Sequence, residues 1–483
     1  MARLFSGASP ASVSIEERAD PANGELPAIR ELDVPPDVLR RLAARFPERY
    51  PVLFDSAADG PLSRTSILAA EPRAALWLDS SGQVGAEGFT PRGGDFLSSL
   101  ENWWLSERVA AVPHRLPFVG GWALFLSYEV AQEIEPQLRL PRSSLPWRAF
   151  ALRTPCALVH ERASGKVFAV AEPAAVDALD RLEADARLVA SAPPAPIDDL
   201  SVESVTEEDP AAYLGRVIRA KEYVRAGDIY QANLSRPWKV VVSHQPDVGA
   251  LYNRLCKANP APFAALAQWR GTTILSSSPE RLVRINDGRI DTRPIAGTRP
   301  RSRRPGDDLV EMTELAAHPK ERAEHIMLID LERNDLGRVS EPGTVHVDEL
   351  MSIESYAHVH HIVSNVSGEL RCDVTPIGAL RAVFPGGTIT GVPKFRCMQI
   401  IAQLEGTGRG AYTGSLGFLG RDGSMDMNIL IRTLSVLGRT IELRAGGGIV
   451  ADSDPQRELE ETRAKARGML AAFDSPEPTG AAA

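Results

Sequence analysis

Residues 441–473 read IELRAGGGIVADSDPQRELEETRAKARGMLAAF, which is a strand pattern, a run of three glycines and then an amphipathic helix. The glycines are Gly446–Gly448, and a helix is predicted over Pro455–Phe473 because a proline opens its first turn. Glu458 and Glu461 are three residues apart in that helix, so both carboxylates lie on one face. The segment therefore predicts two acidic groups shortly after a glycine-rich strand end.

A second acidic pair with the same spacing, Glu321 and Glu324, falls in a helix predicted over Pro319–Asn334. If the two helix faces meet, four carboxylates converge, and like charges that close need a cation. Oxygen ligands without a histidine or cysteine pattern favour a hard ion such as Mg²⁺ over zinc. The alternative for either pair alone is an ordinary solvated helix face.

The composition excludes several classes of protein. The chain has 483 residues, of which 43% are hydrophobic and 24% charged, as in soluble globular proteins. Its net charge of −9 argues against a nucleic-acid partner. No apolar run approaches the ~18 residues of a membrane helix, and the N-terminus lacks an export signal. The cysteines fit a reducing cytoplasm because none forms a C-x-x-C; they are Cys156, Cys256, Cys372 and Cys397.

The sequence divides into a strand-rich first part, residues 1–190, and a second part, residues 209–474, that carries the chemistry-bearing motifs. The stretch Ser191–Pro210 is rich in proline, serine and acidic residues, so it predicts a surface connection within one domain or between two. The tail 475–483 is predicted to be disordered.

Two glycine-rich segments can bind an anion. Phe384–Lys394, FPGGTITGVPK, exposes backbone amides and the hydroxyl of Thr388, but its spacing is not that of a nucleotide P-loop. Gly446–Gly448 lacks the spacing of a dinucleotide site, although amides at a strand end can contact a ligand carboxylate. A plain structural turn, or a bulge, is the alternative for each.

Three polar residues stand out in apolar surroundings. Arg432 falls inside a strand predicted over Met427–Val436 and needs an anionic partner if it faces inward; a solvent-facing arginine is the alternative. Glu280 closes the strand-like ILSSSPE and can act as a general acid if burial raises its pKa. The run YAHVHHIVS puts two histidines on one strand face and His361 on the other. No fourth ligand accompanies them, so we discount zinc.

Eight motifs occur in an order that resembles the chorismate-utilising enzymes, which include the anthranilate, aminodeoxychorismate, isochorismate and salicylate synthases. The resemblance is dense from Asp209 to Phe473 and looser before it. The motifs are GDIYQANLS, SSSPE, RPIAGTRPR, AEHIMLIDLERNDLGRV, HVHHIVS, FPGGTITGVPK, IRTL and AGGGIVADSDPQRELEETRAKA.

This resemblance implies an α/β fold, a large two-sheet antiparallel β-sandwich with helices outside and the active site between the sheets. It implies that Glu324 and Glu461 bind Mg²⁺, with Glu321 and Glu458 beside them. It also implies roles toward chorismate. The ring carboxylate is held by Gly446, Gly447, Gly448 and Lys465, and the enolpyruvyl carboxylate is held by Arg432 and Tyr412. The other edge of the ring is lined by Thr388 and His361, and the departing 4-hydroxyl is protonated by Glu280.

Two positions bear on the reaction. Family members that use water as the nucleophile carry a lysine where this chain has Gln231, and a glutamine that cannot remove a proton fits ammonia. Many aminodeoxychorismate synthases carry a nucleophilic lysine in PI-x-GT, where this chain has Ala296, as anthranilate synthases do. The wider set of motifs nevertheless favours 4-amino-4-deoxychorismate as the product, for para-aminobenzoate and folate synthesis, with anthranilate as the alternative.

The resemblance also implies partners. None of the cysteines lies in a glutaminase-like turn, so ammonia is expected from a separate glutamine amidotransferase subunit. The segment LFDSA, Leu53–Ala57, resembles the part of anthranilate synthases that holds a regulatory tryptophan, with Asp55 in place of glutamate. A remote alternative is therefore an amino-acid-sensing subunit with an idle catalytic site.

Overall fold

The computed structural model describes residues 26–60, 62–111, 114, 116–193, 200–301, 305–355 and 359–473. The predicted tail 475–483 and most of the proline-rich part of the predicted connection lie outside these ranges. No helix within them combines the length and the apolar composition that crossing a bilayer requires.

The described chain alternates short strands with helices of 4 to 19 residues. The helices are α1 Val38–Arg45, α2 Phe96–Glu107, α3 Ala131–Ile134, α4 Ala178–Ser191, α5 Pro210–Arg225, α6 Val248–Ala258, α7 Pro305–Ala317, α8 Pro319–Gly337, α9 Pro376–Val383, α10 Lys394–Glu405 and α11 Pro455–Leu470. The strands are β1 Ala28–Leu32, β2 Val52–Asp55, β3 Thr65–Ala70, β4 Ala74–Asp79, β5 Val84–Glu87, β6 Gly121–Leu126, β7 Trp147–Thr154, β8 Cys156–Glu161, β9 Lys166–Ala171, β10 Val202–Glu207, β11 Gln231–Val242, β12 Phe263–Trp269, β13 Thr272–Ser278, β14 Arg281–Asn286, β15 Arg289–Arg293, β16 Ile295–Pro300, β17 His346–Ser355, β18 Val359–Glu369, β19 Gly391–Val392, β20 Ser415–Gly420, β21 Met425–Asn428, β22 Thr433–Leu437 and β23 Thr440–Ile449.

The strands form two large antiparallel sheets. Sheet A has the order β1-β9-β8-β3-β2-β12-β13-β22-β23-β11-β10, with the short β19 paired to β11. Sheet B has the order β16-β18-β15-β14-β21-β20-β6-β7-β4-β5, with β17 paired to β18. Strands from the first 190 residues and from the second part of the chain stand in both sheets. The predicted fold class, two large antiparallel sheets with helices, is confirmed.

The core has three main layers. Helices α1, α4 and α6 cover the outer face of sheet A with leucine and alanine side chains, and α2 and α9 cover part of sheet B. Between the sheets lie small and aromatic residues, including Ala123, Phe150 and Ala265. Phe125 and Phe150 pack with their ring centroids 5.2 Å apart. Small residues let the two sheets approach, as sheet packing about 10 Å apart requires.

Two of the short segments that carry the chain from one sheet to the other lie side by side. The link between β13 of sheet A and β14 of sheet B contains Glu280. The link between β21 of sheet B and β22 of sheet A contains Arg432. The amide of Ile429 donates to the carbonyl of Glu280 at 3.0 Å, and the amide of Ser277 donates to the carbonyl of Arg432 at 3.1 Å.

The second link corrects one sequence prediction. The apolar stretch Met427–Val436 is not one strand, because it ends in sheet B at Asn428 and resumes in sheet A at Thr433. Arg432 has a φ of 52°, a left-handed conformation that is uncommon for a residue other than glycine. An apolar pattern indicates that a segment is buried, but it does not indicate which of two sheets the segment joins. The break between the two strands therefore could not be predicted from the sequence pattern.

Candidate active site

Glu280 is a buried carboxylic acid at the first sheet link. Its side chain is only 6% exposed, and the hydroxyl of Thr388 donates to it at 2.8 Å. Burial raises its pKa to about 7, although the Thr388 hydroxyl and the charge of Arg432 act in the opposite direction. A carboxyl group in this state can hold a proton at neutral pH and give it up, as a general acid must.

Arg432, on the neighbouring link, is placed to bind an anion. Its guanidinium donates from Nη1 to the side-chain oxygen of Asn259 at 3.2 Å. Burial lowers its pKa, while the nearby Glu280 favours its charged form. An arginine held in a left-handed backbone conformation and partly removed from water is the kind of outlier that marks functional sites. Arg432 therefore faces inward, as in the interpretation of the sequence that gives it an anionic partner, and not outward to solvent.

The three glycines lie in β23 beside β11, and two of them allow a close approach that a larger residue would block. A Cβ on Gly446 would lie 2.4 Å from the carbonyl oxygen of Leu234, and a Cβ on Gly448 would lie 2.3 Å from Nε2 of Gln231. Gln231, 3% exposed, therefore packs directly against the glycine strand. This strand is a flat wall made mostly of backbone.

Helix α11 faces that wall with its acidic pair. A Cβ on Gly447 would lie 3.4 Å from Oε2 of Glu458 and 3.5 Å from Oε1 of Glu461, so both carboxylates flank this glycine. Lys465, one turn further on, donates from Nζ to the carbonyl of Gly446 at 2.8 Å and pairs with Oε1 of Glu461 at 2.7 Å. The predicted neighbourhood of Gly446–Gly448, Glu461 and Lys465 is thus formed.

Strands β16 and β18 and helix α8 build the opposite wall. His361 is 2% exposed, its Nδ1 lies 3.2 Å from the carbonyl oxygen of Gly297, and burial together with the charge of Arg432 lowers its pKa to about 4. Glu321 reaches the same glycine, since a Cβ there would lie 3.0 Å from its Oε2. The buried Ala296 is the preceding residue in the chain. His361 is therefore neutral at physiological pH, and no lysine amine stands at position 296.

The acidic pairs do not form one metal-binding group in this structure. Glu321 pairs with Arg299 at 3.4 Å, and Glu461 pairs with Lys465. Within the ranges that the model describes, no three His, Cys, Asp or Glu side chains lie close enough together to hold one ion. The oxygen donors are of the type that Mg²⁺ prefers, but the predicted convergence of Glu321, Glu324, Glu458 and Glu461 is not seen, and magnesium binding stays a prediction.

Of the histidine run, His358 lies outside the described residues. His360 and His361 point to opposite faces of β18, as the alternation predicted. His360 contacts Asp308, with Nε2 and Oδ1 2.9 Å apart, and its Nδ1 lies 2.7 Å from the hydroxyl of Ser355. This second histidine is part of the structure around α7 and is not directed at Glu280.

A buried ionic group that the sequence analysis missed lies under the glycine wall. We call Glu405, Arg409 and Arg444 the Glu405 cluster. Arg409 bonds Oε1 of Glu405 at 2.7 Å, and Arg444 bonds Oε2 at 3.0 Å. Arg409 also lies over the ring of Tyr412, whose hydroxyl is 3.5 Å from the side-chain oxygen of Asn233. The cluster fixes Tyr412 and β11 from below. The four-residue spacing of Glu405 and Arg409 is the only sequence signal for this cluster, because Arg444 comes from another element.

The predicted tryptophan segment lies elsewhere, at a cavity of about 1480 Å³ between the sheets. Asp55, at the end of β2, is 8% exposed and already engaged, because Arg40 donates to it at 2.7 Å and Ser66 at 2.9 Å. Whether tryptophan binds here stays a prediction.

Comparison with known proteins gives a consistent result. A family model described as chorismate binding enzyme matches residues 49–471. An anthranilate synthase component I-like protein of Synechocystis sp. is 39% identical over 438 residues, covering 87% of this chain and 85% of the relative. Anthranilate synthase component 1 of Streptomyces coelicolor is 41% identical over 402 residues, covering 79% and 78%.

A solved structure agrees with these relatives. Anthranilate synthase component I of Streptococcus pneumoniae TIGR4 superposes with a TM-score of 0.75 at 30% identity, covering 85% of this chain and 93% of that one. All three similar proteins carry anthranilate synthase names. The preference for aminodeoxychorismate synthase, drawn from the wider set of motifs, was therefore wrong, and the alternative drawn from Ala296 is the better supported one.

Proposed function

This chain belongs to the chorismate binding enzyme family, and from that premise we propose that it is an anthranilate synthase component I. The proposed reaction combines chorismate with ammonia and yields anthranilate, pyruvate and water. The amino group of the product comes from ammonia and the pyruvate from the enolpyruvyl group. The water forms from the departing 4-hydroxyl and one proton.

The observation that carries the choice of product is Ala296. Ala296 is buried in the wall opposite the glycines, directly before Gly297, whose φ of 58° is a left-handed conformation that glycine adopts readily. A methyl group cannot attack the ring, so a covalent adduct through this position is excluded chemically. Direct attack by ammonia followed by loss of pyruvate needs no such nucleophile.

The residues around Glu280 suit the first chemical step. A hydroxyl leaves poorly unless it is protonated, and Glu280 is the buried acid that can supply this proton. Arg432 and Lys465 are the two cations whose charge reaches Glu280, so two carboxylates of a bound substrate can find partners on either side of it. Gln231 cannot accept a proton, which suits ammonia because an amine attacks without a base.

The remaining sequence expectations keep the status of proposals. A magnesium requirement is proposed from the family resemblance and the oxygen donors of the two acidic pairs, and we derive no step through the ion, because Glu321 pairs with Arg299 and Glu461 pairs with Lys465. Ammonia would come from a glutamine amidotransferase subunit, with ammonium salts as a substitute. A cytoplasmic location also stays a prediction.

The test is the identity of the product. The chain is incubated with chorismate, Mg²⁺ and an ammonium salt, and the products are separated and weighed by mass spectrometry. Anthranilate together with an equal amount of pyruvate supports the proposal. An aminated product that retains the enolpyruvyl group, or no turnover in the presence of an added amidotransferase subunit, would overturn it. Glutamate release from glutamine by the chain alone would contradict the proposed partner.

A further inference from the structure

The loop that carries Thr388 is closed at its base by one lysine. We call residues Phe384–Pro393 the Thr388 loop; it connects the end of α9 to the start of α10. Lys394, the first residue of α10, donates from Nζ to the carbonyl oxygen of Val383, the last residue of α9, at 3.3 Å. One side chain therefore joins the two residues between which the loop begins and ends.

The place of Lys394 in the sequence is explained by the end of α9 and not by the start of α10. The helix dipole disfavours a cation in the first turn of a helix, whereas it stabilises a cation near the last carbonyls. The carbonyl of Val383 is one of those that a helix leaves without an intrahelical donor. The lysine therefore contributes to the end of α9 and to the closure of the loop.

The same ammonium group joins the loop to α8. Nζ of Lys394 lies 2.5 Å from Oδ2 of Asp335, and the two side chains are 16% and 5% exposed. Burial raises the pKa of Asp335, while the charge and the hydrogen bond of Lys394 act in the opposite direction and favour the carboxylate. A short contact between opposite charges away from water thus holds the base of the loop against α8.

Helix α8 contacts the loop at a second place, one turn earlier. Leu331 and Asp335 are four residues apart and so lie on one face of α8. A Cβ on Gly387 would lie 2.2 Å from Cδ2 of Leu331, so the helix packs directly against the loop. The next residue is Thr388, whose hydroxyl donates to Glu280 at 2.8 Å. This helix face supports the loop both at its base and beside the hydrogen-bond donor.

The part of the loop that follows Thr388 is held from the side of sheet A. The amide of Asn233, in β11, donates to the carbonyl of Thr390 at 2.8 Å. Arg409 of the Glu405 cluster donates to the carbonyl of Ile389 at 3.2 Å. Contacts from β11 and the Glu405 cluster thus hold the loop after Thr388, and α8 and the lysine at the base hold it before Thr388.

We propose that Lys394 is a positioning residue for Glu280. By joining α8, α9 and α10 at the base of the Thr388 loop, it holds the hydroxyl of Thr388 in hydrogen-bond contact with the Glu280 carboxyl group. The proposal rests on the assignment of Glu280 in the proposed function. The Thr388 hydroxyl favours the ionised form of Glu280. If the loop moves and this donor is displaced, Glu280 retains its proton to a higher pH.

The charges around Glu280 allow this effect to be isolated. Among the described residues, the charged or titratable groups that face it are Arg432 on the second sheet link, Lys465 on α11 and Glu332 on α8. Burial and the charge of Asp335 raise the pKa of Glu332 to about 8, and Lys394 opposes this rise. Loss of the lysine therefore keeps Glu332 neutral and adds no charge beside Glu280.

The experiment measures kcat/KM for chorismate from about pH 6 to pH 9 in the unaltered chain, Thr388→Val, Lys394→Met and the double variant, with the concentration of free ammonia equal at each pH. Thr388→Val removes the donor and should move the alkaline limb up by about one pH unit, because a hydrogen bond to a charged group is lost. Lys394→Met should move it in the same direction by at least about half as much, and should move it no further in the T388V background. An unmoved limb in K394M, or shifts that add in the double variant, would overturn the proposal.

Two further variants separate this effect from stability. Asp335→Asn combined with Lys394→Met removes both charges of the ion pair, so that neither partner is left as an unpaired buried charge, and it should move the limb as K394M does. Arg153→Met breaks another buried ion pair, since Arg153 and Glu172 lie 2.7 Å apart and are each 9% exposed. It should lower the melting temperature and leave the limb in place.

The outcomes distinguish this proposal from the proposed function. A limb that R153M moves as far as K394M does would reject a specific role of Lys394, and so would a limb that stays in place in the variant without both charges. An unaltered chain that forms no product at any pH would instead reject the proposed function. The proposal for Lys394 fails when product forms and the limb does not respond to the loss of the lysine.

Discussion

The Glu405 cluster and the region of Glu280 each bury a carboxyl group, and the two carboxyl groups differ in how their charge is balanced. Burial alone would raise the pKa of Glu405, but Arg409 and Arg444 outweigh it and hold the pKa below its ordinary value. Glu280 receives one hydroxyl donor and a more distant arginine, and its pKa is raised to about 7. A carboxyl with two arginine partners is fixed as an anion and holds strands together; one without them can exchange a proton.

The strongest way to break this comparison is to remove the exchangeable proton. Glu280→Gln should lower kcat for chorismate amination by about 10²- to 10⁴-fold, because general acid catalysis contributes that much. The measurement is the steady-state rate with ammonium. The control is Glu133→Gln, which alters another carboxyl whose pKa burial raises and which accepts from the amides of Phe96 and Leu97 at 3.0 Å. If E280Q keeps a normal kcat, Glu280 is not the acid and the two regions do not differ in the way described.

The second test removes the fixed charge. Glu405→Gln leaves Arg409 and Arg444 buried without their carboxylate and should lower the free energy of unfolding by about 3–5 kcal/mol. Denaturant titration measures this loss. The control is Glu222→Gln, which removes the exposed partner of Arg219 and should cost less than about 1 kcal/mol. Equal losses of stability in the two variants would show that burial does not determine how much the Glu405 cluster contributes to the free energy of unfolding.

The third test uses pH to sharpen the contrast. The folded-state pKa of Glu280 is raised from 4.5 to about 7, so its contribution to stability is lost as the pH rises between these values. At pH 8 the E280Q variant should be more stable than the unaltered chain by about 3 kcal/mol, since each pKa unit corresponds to about 1.4 kcal/mol. At pH 4.5 the two should agree. A difference that does not vary with pH would mean that the pKa of Glu280 is the same in the folded and unfolded protein.

The smallest effects are expected at the glycine wall that separates the two regions. Gly446→Ala places a methyl group 2.4 Å from a backbone oxygen and should cost about 1–3 kcal/mol of stability through overpacking. Gly447→Ala meets its neighbours at 3.4 Å or more, so it should fold normally and raise KM for chorismate about tenfold, a loss of about 1.4 kcal/mol in binding. A normal KM in G447A would show that substrate does not approach this glycine.

The parts of the site that could be predicted from the sequence are those set by local pattern. Helix α11 begins as predicted, with Asp454 accepting from the amide of Arg457 at 2.9 Å, and it ends at Leu470, where the amide of Ala471 still donates to the carbonyl of Arg467. Glu280 was singled out as a general acid on the condition that it is buried, because it closes a strand, and a surface glutamate was the alternative. These features depend on residues within one or two turns of each other.

The parts that could not be predicted depend on distant segments. The left-handed conformation of Arg432 occurs where the chain passes from sheet B to sheet A, and the Glu405 cluster needs an arginine from a strand 39 positions away. The product was misjudged for a different reason. Most motif positions build the shared fold and do not distinguish members of the family, whereas Ala296 bears directly on the choice between the two ammonia-derived products.

The place of β23 in sheet A has a consequence for biosynthesis. This strand lies between β22 and β11, and β11 leaves the ribosome roughly 200 residues earlier, which is about 10 to 40 seconds at ordinary rates of synthesis. Until residues 440–449 emerge, one long edge of β11 has no partner along most of its length. An open edge of that length invites pairing with other chains, so the nascent polypeptide should depend on chaperones more than its final stability would indicate.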